Sequence, residues 1–332
     1  MSTPEPRSHA HGLADGGVAF GLQLPIQTLT RKLRDPWETS ASVEDLVAVT
    51  TRAEQAGLDF VGVCDHVAVP DNDYAKNMTT TWYDTVTTLA FLAAHTTRIR
   101  LASTVFIAAY RHPLLTAKMW STLDHLSGGR AILGIGAGHV EAEFDALAID
   151  FAARGAVLDE TLAAITGAFA EPYVSHDGER FQYADVGIGP PPPSGELTVW
   201  VAGGGPAALR RVGQYGHGFI PFLNAPDTYP AIVATINEWA ERSGRSDTNF
   251  DIGIMPPWMY VGDAPDGIGP HQLSGSPERI AEELVSEWKL GANVFHLKLR
   301  ARSLSEYLDQ VDAFGQSVIP LVREGAQHHH VD

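Results

Sequence analysis

The sequence predicts a (β/α)8 TIM barrel, a fold of the α/β class, and two observations carry this prediction. Eight short apolar segments rich in Val, Ile and Phe recur along the chain, and amphipathic stretches of helical length separate them. Apolar runs without polar alternation are typical of parallel strands that are buried on both faces. Eight strand–helix units over about 300 residues match the length and rhythm of such a barrel. An open, doubly wound sheet also alternates, but eight units without a change in composition favour closure.

The predicted helices carry signals at their ends. Ser42 stands where the helix over residues 43–56 begins, and Gly57 follows that helix, where a left-handed residue is favoured. Ser276 followed by Pro277 marks the start of the helix over residues 278–290. The strands are predicted over residues 18–24, 60–64, 99–105, 131–135, 197–202, 218–222, 251–261 and 294–299.

The chain is predicted to form a single barrel domain over residues 18–325. Residues 171–196 are too long for an ordinary connection and form an insertion before the fifth strand. We expect a small hairpin over residues 173–183 and then a proline-rich arm, which serve as a surface loop, a lid or an oligomer contact. Residues 1–17 and 326–332 are predicted to be flexible tails.

Composition and charge exclude several classes of protein. The formal net charge is −17, from 23 basic and 40 acidic residues, so the average field repels a nucleic-acid backbone. An anionic cofactor therefore needs a local site of backbone amides or positive charge. Cys64 is the one cysteine, which rules out an internal disulfide. No apolar run is long enough to span a membrane, and a cytoplasmic location is expected.

The active site of such a barrel lies at the C-terminal ends of its strands. The first strand ends near Gln23, a candidate cofactor contact, and the last strand offers His296 and Lys298. The second strand ends in Asp65 and His66, where an imidazole can exchange a proton near neutral pH and a carboxylate can fix its tautomer or raise its pKa. The alternative is a structural pair that caps the following loop.

The fifth strand ends in a glycine cluster that opens a helix. Such a turn presents free backbone N–H groups and the positive end of the helix dipole, which together bind phosphate. The alternative is a tight turn that needs glycine for conformational reasons alone. The candidate cofactor contacts in this turn are Ala202, Gly203, Gly204, Gly205 and Pro206.

The fourth strand carries a second set of glycines, at positions 134, 136 and 138. Their spacing differs from a dinucleotide fingerprint, and we expect them to let a flat ring approach the backbone, with Ala137 and Gly138 as cofactor contacts. His139 follows and could face that ring or the substrate. No metal site is predicted, and no serine nucleophile motif occurs. A cofactor that carries its own chemistry is therefore favoured.

These motifs together resemble a known family. The matching segments are residues 97–105, 110–113, 123–130, 133–138, 143–144, 154–155 and 201–204. In this order they are similar to the luciferase-like monooxygenase superfamily, and within it most similar to the branch that uses the deazaflavin coenzyme F420. The resemblance covers residues 18–225 well and the last three units weakly.

The resemblance implies how the cofactor is bound. It implies that Ser103, Thr104 and Val105 contact the coenzyme, with a non-proline cis peptide between Thr104 and Val105 that forms a bulge behind the ring. It further implies that residues 203–206 hold the tail or phosphate of the coenzyme, and that His66 lies near the reacting face. Many relatives carry an aromatic residue or an acid where this chain has His139, so the substrate chemistry does not carry over. The basic residues that bind substrate phosphate in the sugar-phosphate dehydrogenases of this branch are not identifiable.

The expected function is hydride transfer between F420 and an unidentified small organic substrate. His66, supported by Asp65, is the first candidate for proton handling, and His139 is the second. The main alternative is an FMN-dependent luciferase-like monooxygenase, and a further alternative is a barrel that binds a flavin or deazaflavin without catalysis. A homodimer is expected, without nucleic-acid or membrane partners.

Overall fold

The computed structural model describes residues 13–14, 17–28, 30, 34–73, 76, 78–222, 224–268 and 272–328. Within them, eight parallel strands pair in sequence order, and the first strand also pairs with the last, with Ala19 opposite Val294, so the sheet closes. The predicted barrel is confirmed. The strands are β1 (Ala19–Gln23), β2 (Phe60–Val63), β3 (Arg100–Ser103), β4 (Ala131–Gly136), β5 (Val199–Gly203), β6 (Gly218–Pro221), β7 (Asp251–Ile254) and β8 (Val294–Leu297).

A helix follows each strand and packs on the outside of the barrel. Several begin at the predicted signals: the Ser42 side chain accepts the Asp45 N–H at the start of the first helix, and Ser276 caps the seventh. The eight helices that follow the barrel strands are α1 (Val43–Gln55), α2 (Thr85–Ala93), α3 (Pro113–Ser127), α4 (Arg154–Gly167), α5 (Pro206–Tyr215), α6 (Tyr229–Arg242), α7 (Pro277–Lys289) and α8 (Leu304–Ala313), and a shorter helix, Glu141–Ala146, lies between β4 and α4. Beyond α8 the chain continues through a π-helical turn, Phe314–Val318, into the helix Ile319–His328.

In two places a predicted strand ends early and a separate strand follows it. The seventh ends at Ile254 because Pro256 and Pro257 follow and have no N–H to donate to a sheet. The chain beyond them forms a separate strand, Trp258–Val261, which pairs in parallel with Gln272–Gly275 outside the barrel. The third ends at Ser103, and the two-residue strand Phe106–Ile107 then pairs with β4.

The inside of the barrel is filled by large side chains that occupy space left by glycines. A Cβ at Gly21 would lie 2.0 Å from the ring of Phe60, and a Cβ at Gly218 would lie 2.4 Å from the ring of Trp200. Side chains alternate across a strand, so every second residue of each strand faces inward. The inner cluster comprises Ala19, Phe60, Ala102, Ile132, Trp200, Ile220 and Val294.

The N-terminal end of the barrel is closed by backbone N–H groups that bind a buried carboxylate. Leu13 and Ala14 donate to Asp251 at 2.8 and 3.0 Å, and Trp200 Nε1 donates to the same side chain at 3.0 Å. Of the predicted tails, residues 1–12, 15–16 and 329–332 lie outside the described residues. No helix within the described part of the chain is long and apolar enough to cross a membrane.

Within residues 171–196, two strands, Val174–Asp177 and Gln182–Val186, pair in an antiparallel hairpin. The carboxylate of Glu160 on α4 accepts the Phe181 N–H at 2.7 Å and the Arg180 N–H at 3.1 Å, which holds the hairpin against that helix. A role for this segment as a lid or as a contact in the predicted homodimer stays a prediction.

Candidate functional site

The C-terminal mouth of the barrel has a floor of small and polar side chains. Thr104 Oγ1 donates to Gln23 Oε1 at 3.0 Å, and Cys64 Sγ contacts the Thr104 carbonyl oxygen at 3.5 Å. A Cβ at Gly136 would lie 3.1 Å from Val105 and 3.5 Å from Ala202, so these residues form one low surface. The Thr104–Val105 peptide is cis, as the resemblance implied. The structure therefore brings together five of the predicted positions or their neighbours: Gln23, Thr104, Val105, Gly136 and Ala202.

Ser103 and two of the glycines have positions different from those expected. The Ser103 hydroxyl is fully buried and donates to the Gly134 carbonyl at 2.8 Å, so it supports the floor from within the wall. Gly134 makes room for the Ser103 backbone, because a Cβ there would lie 2.0 Å from its carbonyl oxygen. A Cβ at Gly138 would lie 2.9 Å from Ile107 and Phe144. The space that a side chain would take at Gly134 or Gly138 is therefore already filled by protein atoms and is not open to a ligand.

A histidine–glutamate pair lies at the edge of this floor. His66 Nδ1 is 2.9 Å from Glu143 Oε2, and the other carboxylate oxygen accepts the N–H groups of Val67 and Ala68 at 2.5 and 3.1 Å. Glu143 is fully buried, which by itself raises its pKa, but His66 and the two N–H groups outweigh burial and hold the pKa of Glu143 below its usual value. Burial, and then the charge of Glu143, raise the pKa of Tyr110. The buried carboxylate is therefore the ionised partner that orients the imidazole.

Asp65 has a different partner from the one that its position next to His66 suggested. Its carboxylate binds the Arg111 guanidinium through two bonds of 2.7 and 2.9 Å and accepts the Ile107 N–H at 2.9 Å. Asp65 is 3% exposed, so this ion pair is nearly dry. The expected support of His66 by Asp65 is thus replaced by support from Glu143, and Asp65 anchors the segment that follows the cis peptide.

His139 is exposed at the same mouth. Its ring centroid lies 5.4 Å from that of Phe222 at an interplanar angle of 43°. Partial burial lowers the pKa of His139, and the neighbouring His66 lowers it further, while Glu143 acts in the opposite direction. His139 therefore lies close enough to His66 for that imidazole to affect the pKa of His139.

The glycine turn after β5 leads directly into α5. Gly203 has φ +151°, and a Cβ at Gly204 would lie 2.5 Å from the Phe222 carbonyl oxygen, so both positions require glycine. Gly205 precedes α5 and faces open space, with nothing within 4 Å of an added Cβ. Pro206 is the first residue of the helix. The first N–H groups of a helix lack intrahelical acceptors. Pro206 has no N–H, and the Ala208 N–H donates to the Gly205 carbonyl oxygen at 2.9 Å, so the N–H groups of Ala207 and of the glycine turn are the ones that could bind an anion.

Comparison with known proteins identifies the family. A model of the luciferase-like monooxygenase family matches residues 22–268. The chain belongs to that family. The 5,10-methylenetetrahydromethanopterin reductase of Methanolobus tindarius is 28% identical over an alignment of 236 residues, which covers 69% of this chain and 68% of that protein. The F420-dependent glucose-6-phosphate dehydrogenase of Intrasporangium calvum is 30% identical over an alignment of 288 residues, which covers 77% of this chain and 83% of that protein.

A solved structure has the same fold. The monooxygenase RslO1 from Streptomyces bottropensis superposes with a TM-score of 0.75 at 19% identity, covering 91% of this chain and 99% of that one. At this identity the likeness is one of fold alone.

Two further side chains lie at the mouth of this luciferase-like family member: Trp82, which was not singled out from the sequence, and Lys298, which the last strand was expected to offer. The Trp82 ring lies 4.1 Å from the His66 ring, centroid to centroid, and forms one wall beside it. Lys298 lies at the end of β8 with its Nζ 4.3 Å from the Trp258 ring centroid; burial lowers the pKa of Lys298 to about 8 despite the nearby Glu38 carboxylate. Within the described residues, no group of three or more His, Cys, Asp or Glu side chains could hold a metal ion.

His296, inside the barrel below the floor, makes the stability depend on pH. Burial, aided by Lys298, lowers the pKa of His296 to about 4, and its Nε2 has no hydrogen-bond partner among the described residues. An unfolded chain binds this proton near pH 6.5, so the unfolded state gains protons first as the pH falls and the native state loses stability. We expect His296 to account for a loss of about 2 kcal/mol in the free energy of unfolding between about pH 7 and pH 5.

Equilibrium urea unfolding of the wild type and of His296→Gln at both pH values tests this expectation. The glutamine does not titrate, so the free energy of unfolding of the variant should fall less over this interval than that of the wild type. An equal fall in both proteins would show that another group is responsible.

Proposed function

We propose that this protein is an oxidoreductase that transfers a hydride between coenzyme F420 and a small organic substrate. The observation that carries the proposal is the convergence, at one barrel mouth, of a floor of small residues, an imidazole oriented by a buried carboxylate, and the N-terminus of α5. The F420-dependent glucose-6-phosphate dehydrogenase of Intrasporangium calvum, at 30% identity, supports the choice of coenzyme.

The floor and the glycine turn suit the two ends of the coenzyme. Small side chains at Gly136 and Ala202 leave a low surface on which a planar ring can lie, and Gln23 and Thr104 offer polar groups at its edge. The N–H groups at the start of α5 suit a phosphate, which a chain of net charge −17 could not otherwise attract. When bound, F420 supplies the carbon that gives or receives the hydride.

His66 is proposed to exchange the proton that accompanies hydride transfer. Because Glu143 is ionised and accepts hydrogen bonds, it holds the hydrogen on Nδ1 of His66 and leaves Nε2 to exchange a proton. Trp82 restricts the imidazole from one side. His139 is the second candidate for the same role, and its lowered pKa keeps it neutral and able to accept a proton.

The second candidate function is an FMN-dependent monooxygenase, which membership of the luciferase-like monooxygenase family favours. Fluorescence titration with each cofactor separates the two. We expect F420 to bind with a dissociation constant at least about tenfold lower than that of FMN. Micromolar binding of FMN with none of F420 would favour the monooxygenase. Binding of F420 without any substrate that changes its absorbance would instead favour a carrier.

Replacing Gly205 with aspartate should weaken F420 binding without weakening the fold. Nothing lies within 4 Å of a Cβ there, its φ is −114°, and aspartate is a favourable residue at a helix N-cap. Its carboxylate would repel a phosphate at the same N–H groups, so we expect the dissociation constant for F420 to rise about tenfold or more. Fluorescence titration measures this change.

The matched control is Gly205→Asn, which has the same shape and capping ability but no charge. It should retain most of the F420 affinity. If both variants lose affinity equally, shape and not phosphate charge is responsible, and if neither does, the phosphate lies elsewhere.

A further inference from the structure

A large cavity lies beside the barrel mouth, on the side of β6, β7 and β8. Its volume is about 930 Å³, a size that suits a small organic molecule. It begins at the ends of two barrel strands, Pro221 of β6 and Ile254 of β7, so it adjoins the proposed active site. The cavity is largely apolar, and its apolar walls include Pro221, Ile254, Met255, Pro257, Trp258 and Leu273.

One wall of this cavity carries two glutamates from the same face of α7. Glu283 and Glu287 are four residues apart, one helical turn, and both line the cavity. Glu287 is 5% exposed, and its Oε2 is buried without a hydrogen-bond partner among the described residues. A buried acceptor without a partner is costly, so this oxygen favours a ligand that donates a hydrogen bond.

The other polar groups of the cavity do not neutralise these glutamates. The hydroxyl of Tyr229, buried beside Glu287, donates to the Gly253 carbonyl at 2.9 Å. Arg300 lines the cavity too; Asp35 binds one end of its guanidinium at 2.6 Å and offsets its charge, while Arg300 Nε is buried without a hydrogen-bond partner among the described residues. Burial, and then the charge of Glu283, raise the pKa of Glu287 to about 7. The acidic groups are therefore in excess, which disfavours an anionic ligand and favours a cationic one.

We propose that this cavity binds a small organic amine, whose ammonium group pairs with Glu287 while its apolar body lies against Met255 and Trp258. That the cavity binds such an amine does not depend on the proposed function. That amines are the substrate class of the enzyme does rest on the proposed function. An ammonium group supplies both the donor that Glu287 Oε2 lacks and the positive charge that the pair of glutamates favours. The apolar walls add affinity through the area that they remove from water.

The test compares n-hexylamine with n-hexanol, which share a chain and differ in charge, by calorimetric titration of the full chain without cofactor at about pH 8, where the amine is protonated. We expect the amine to bind at least about tenfold more tightly than the alcohol. Glu287→Gln should remove this preference. Near pH 7 the carboxyl must ionise to pair with the amine, so binding should release protons, seen as a binding enthalpy that depends on the buffer.

Two further variants keep the test decisive. Glu282→Gln removes an exposed carboxylate from the same helix and should leave the preference intact. Glu283→Gln leaves Glu287 in place and should reduce the preference only partly. Equal binding of amine and alcohol to the wild type, or an equal loss in Glu282→Gln, would overturn the proposal.

Titration of the same preparation with F420 separates this inference from the proposed function. If F420 binds and the protein shows no preference for the amine over the alcohol, only the proposal of the amine site is wrong. If the amine binds through Glu287 and F420 does not, the proposed coenzyme is wrong and the amine site stands.

Discussion

His66→Ala is expected to lower turnover about 100-fold or more while leaving the affinity for F420 within about threefold of the wild type. Loss of the imidazole removes the proton that Nε2 exchanges, whereas the floor at Gly136 and Ala202 and the turn at Gly205 are untouched. Glu143 keeps its hydrogen bonds to two backbone N–H groups, so the local fold should survive. The measurement is the loss of visible absorbance of oxidised F420 with any substrate that the wild type turns over, paired with a fluorescence titration.

The control is His125→Ala, which removes an exposed imidazole near the C-terminal end of α3, at the opposite end of the barrel. Its turnover should match that of the wild type. Unchanged turnover in His66→Ala would remove this residue from the mechanism and leave His139 as the candidate. A parallel loss of F420 affinity would instead indicate that His66 helps to bind the coenzyme.

Arg111→Met is expected to lower the free energy of unfolding by about 3–5 kcal/mol. The guanidinium makes two bonds to Asp65, which is 3% exposed, and its removal leaves a buried carboxylate without its cation. Methionine keeps an apolar chain of similar length but also loses the contact of the guanidinium carbon with the Phe106 ring, whose centroid lies 4.2 Å from it. Equilibrium urea unfolding at neutral pH measures it.

Arg242→Met serves as the comparison, because Arg242 forms an exposed pair with Glu238 on the surface of α6. Exposed pairs contribute about 0–1 kcal/mol, so this variant should be nearly as stable as the wild type. If Arg111→Met unfolds no more easily than Arg242→Met, the Asp65–Arg111 pair contributes little to the fold. Asp65 would then be available for a role at the reaction centre after all.

The barrel could be predicted from the sequence because its signals are local. Apolar runs, capping residues and glycines at helix ends each depend on a few neighbouring positions, and eight repetitions reinforce one another. The error in the seventh strand arose from treating residues 251–261 as one run, although Pro256 and Pro257 divide it. Proline removes N–H donors, so the barrel strand ends before them.

The candidate site was harder to predict, because its contacts join residues that are far apart in the chain. Asp65 and His66 are adjacent in sequence, but neighbouring residues at a strand end point in different directions. Each therefore finds its partner elsewhere: Arg111 is 46 positions and Glu143 is 77 positions away. The glycines of the fourth strand occur where a larger side chain would collide with neighbouring atoms. The sequence alone does not show whether those atoms belong to the protein or to a ligand. At Gly134 it is the backbone of Ser103.

The positions of the floor and of the cavity have a consequence for how such an enzyme changes over time. The floor and the glycine turn come mainly from the arc β1 to β5, while the glutamate-lined cavity comes from the arc β6 to β8 and α7. Substitutions in the second arc can therefore alter what is recognised without touching the surface proposed for the coenzyme. Enzymes that descend from this barrel can change their substrates one substitution at a time, because each variant along the way keeps the surface proposed for the coenzyme.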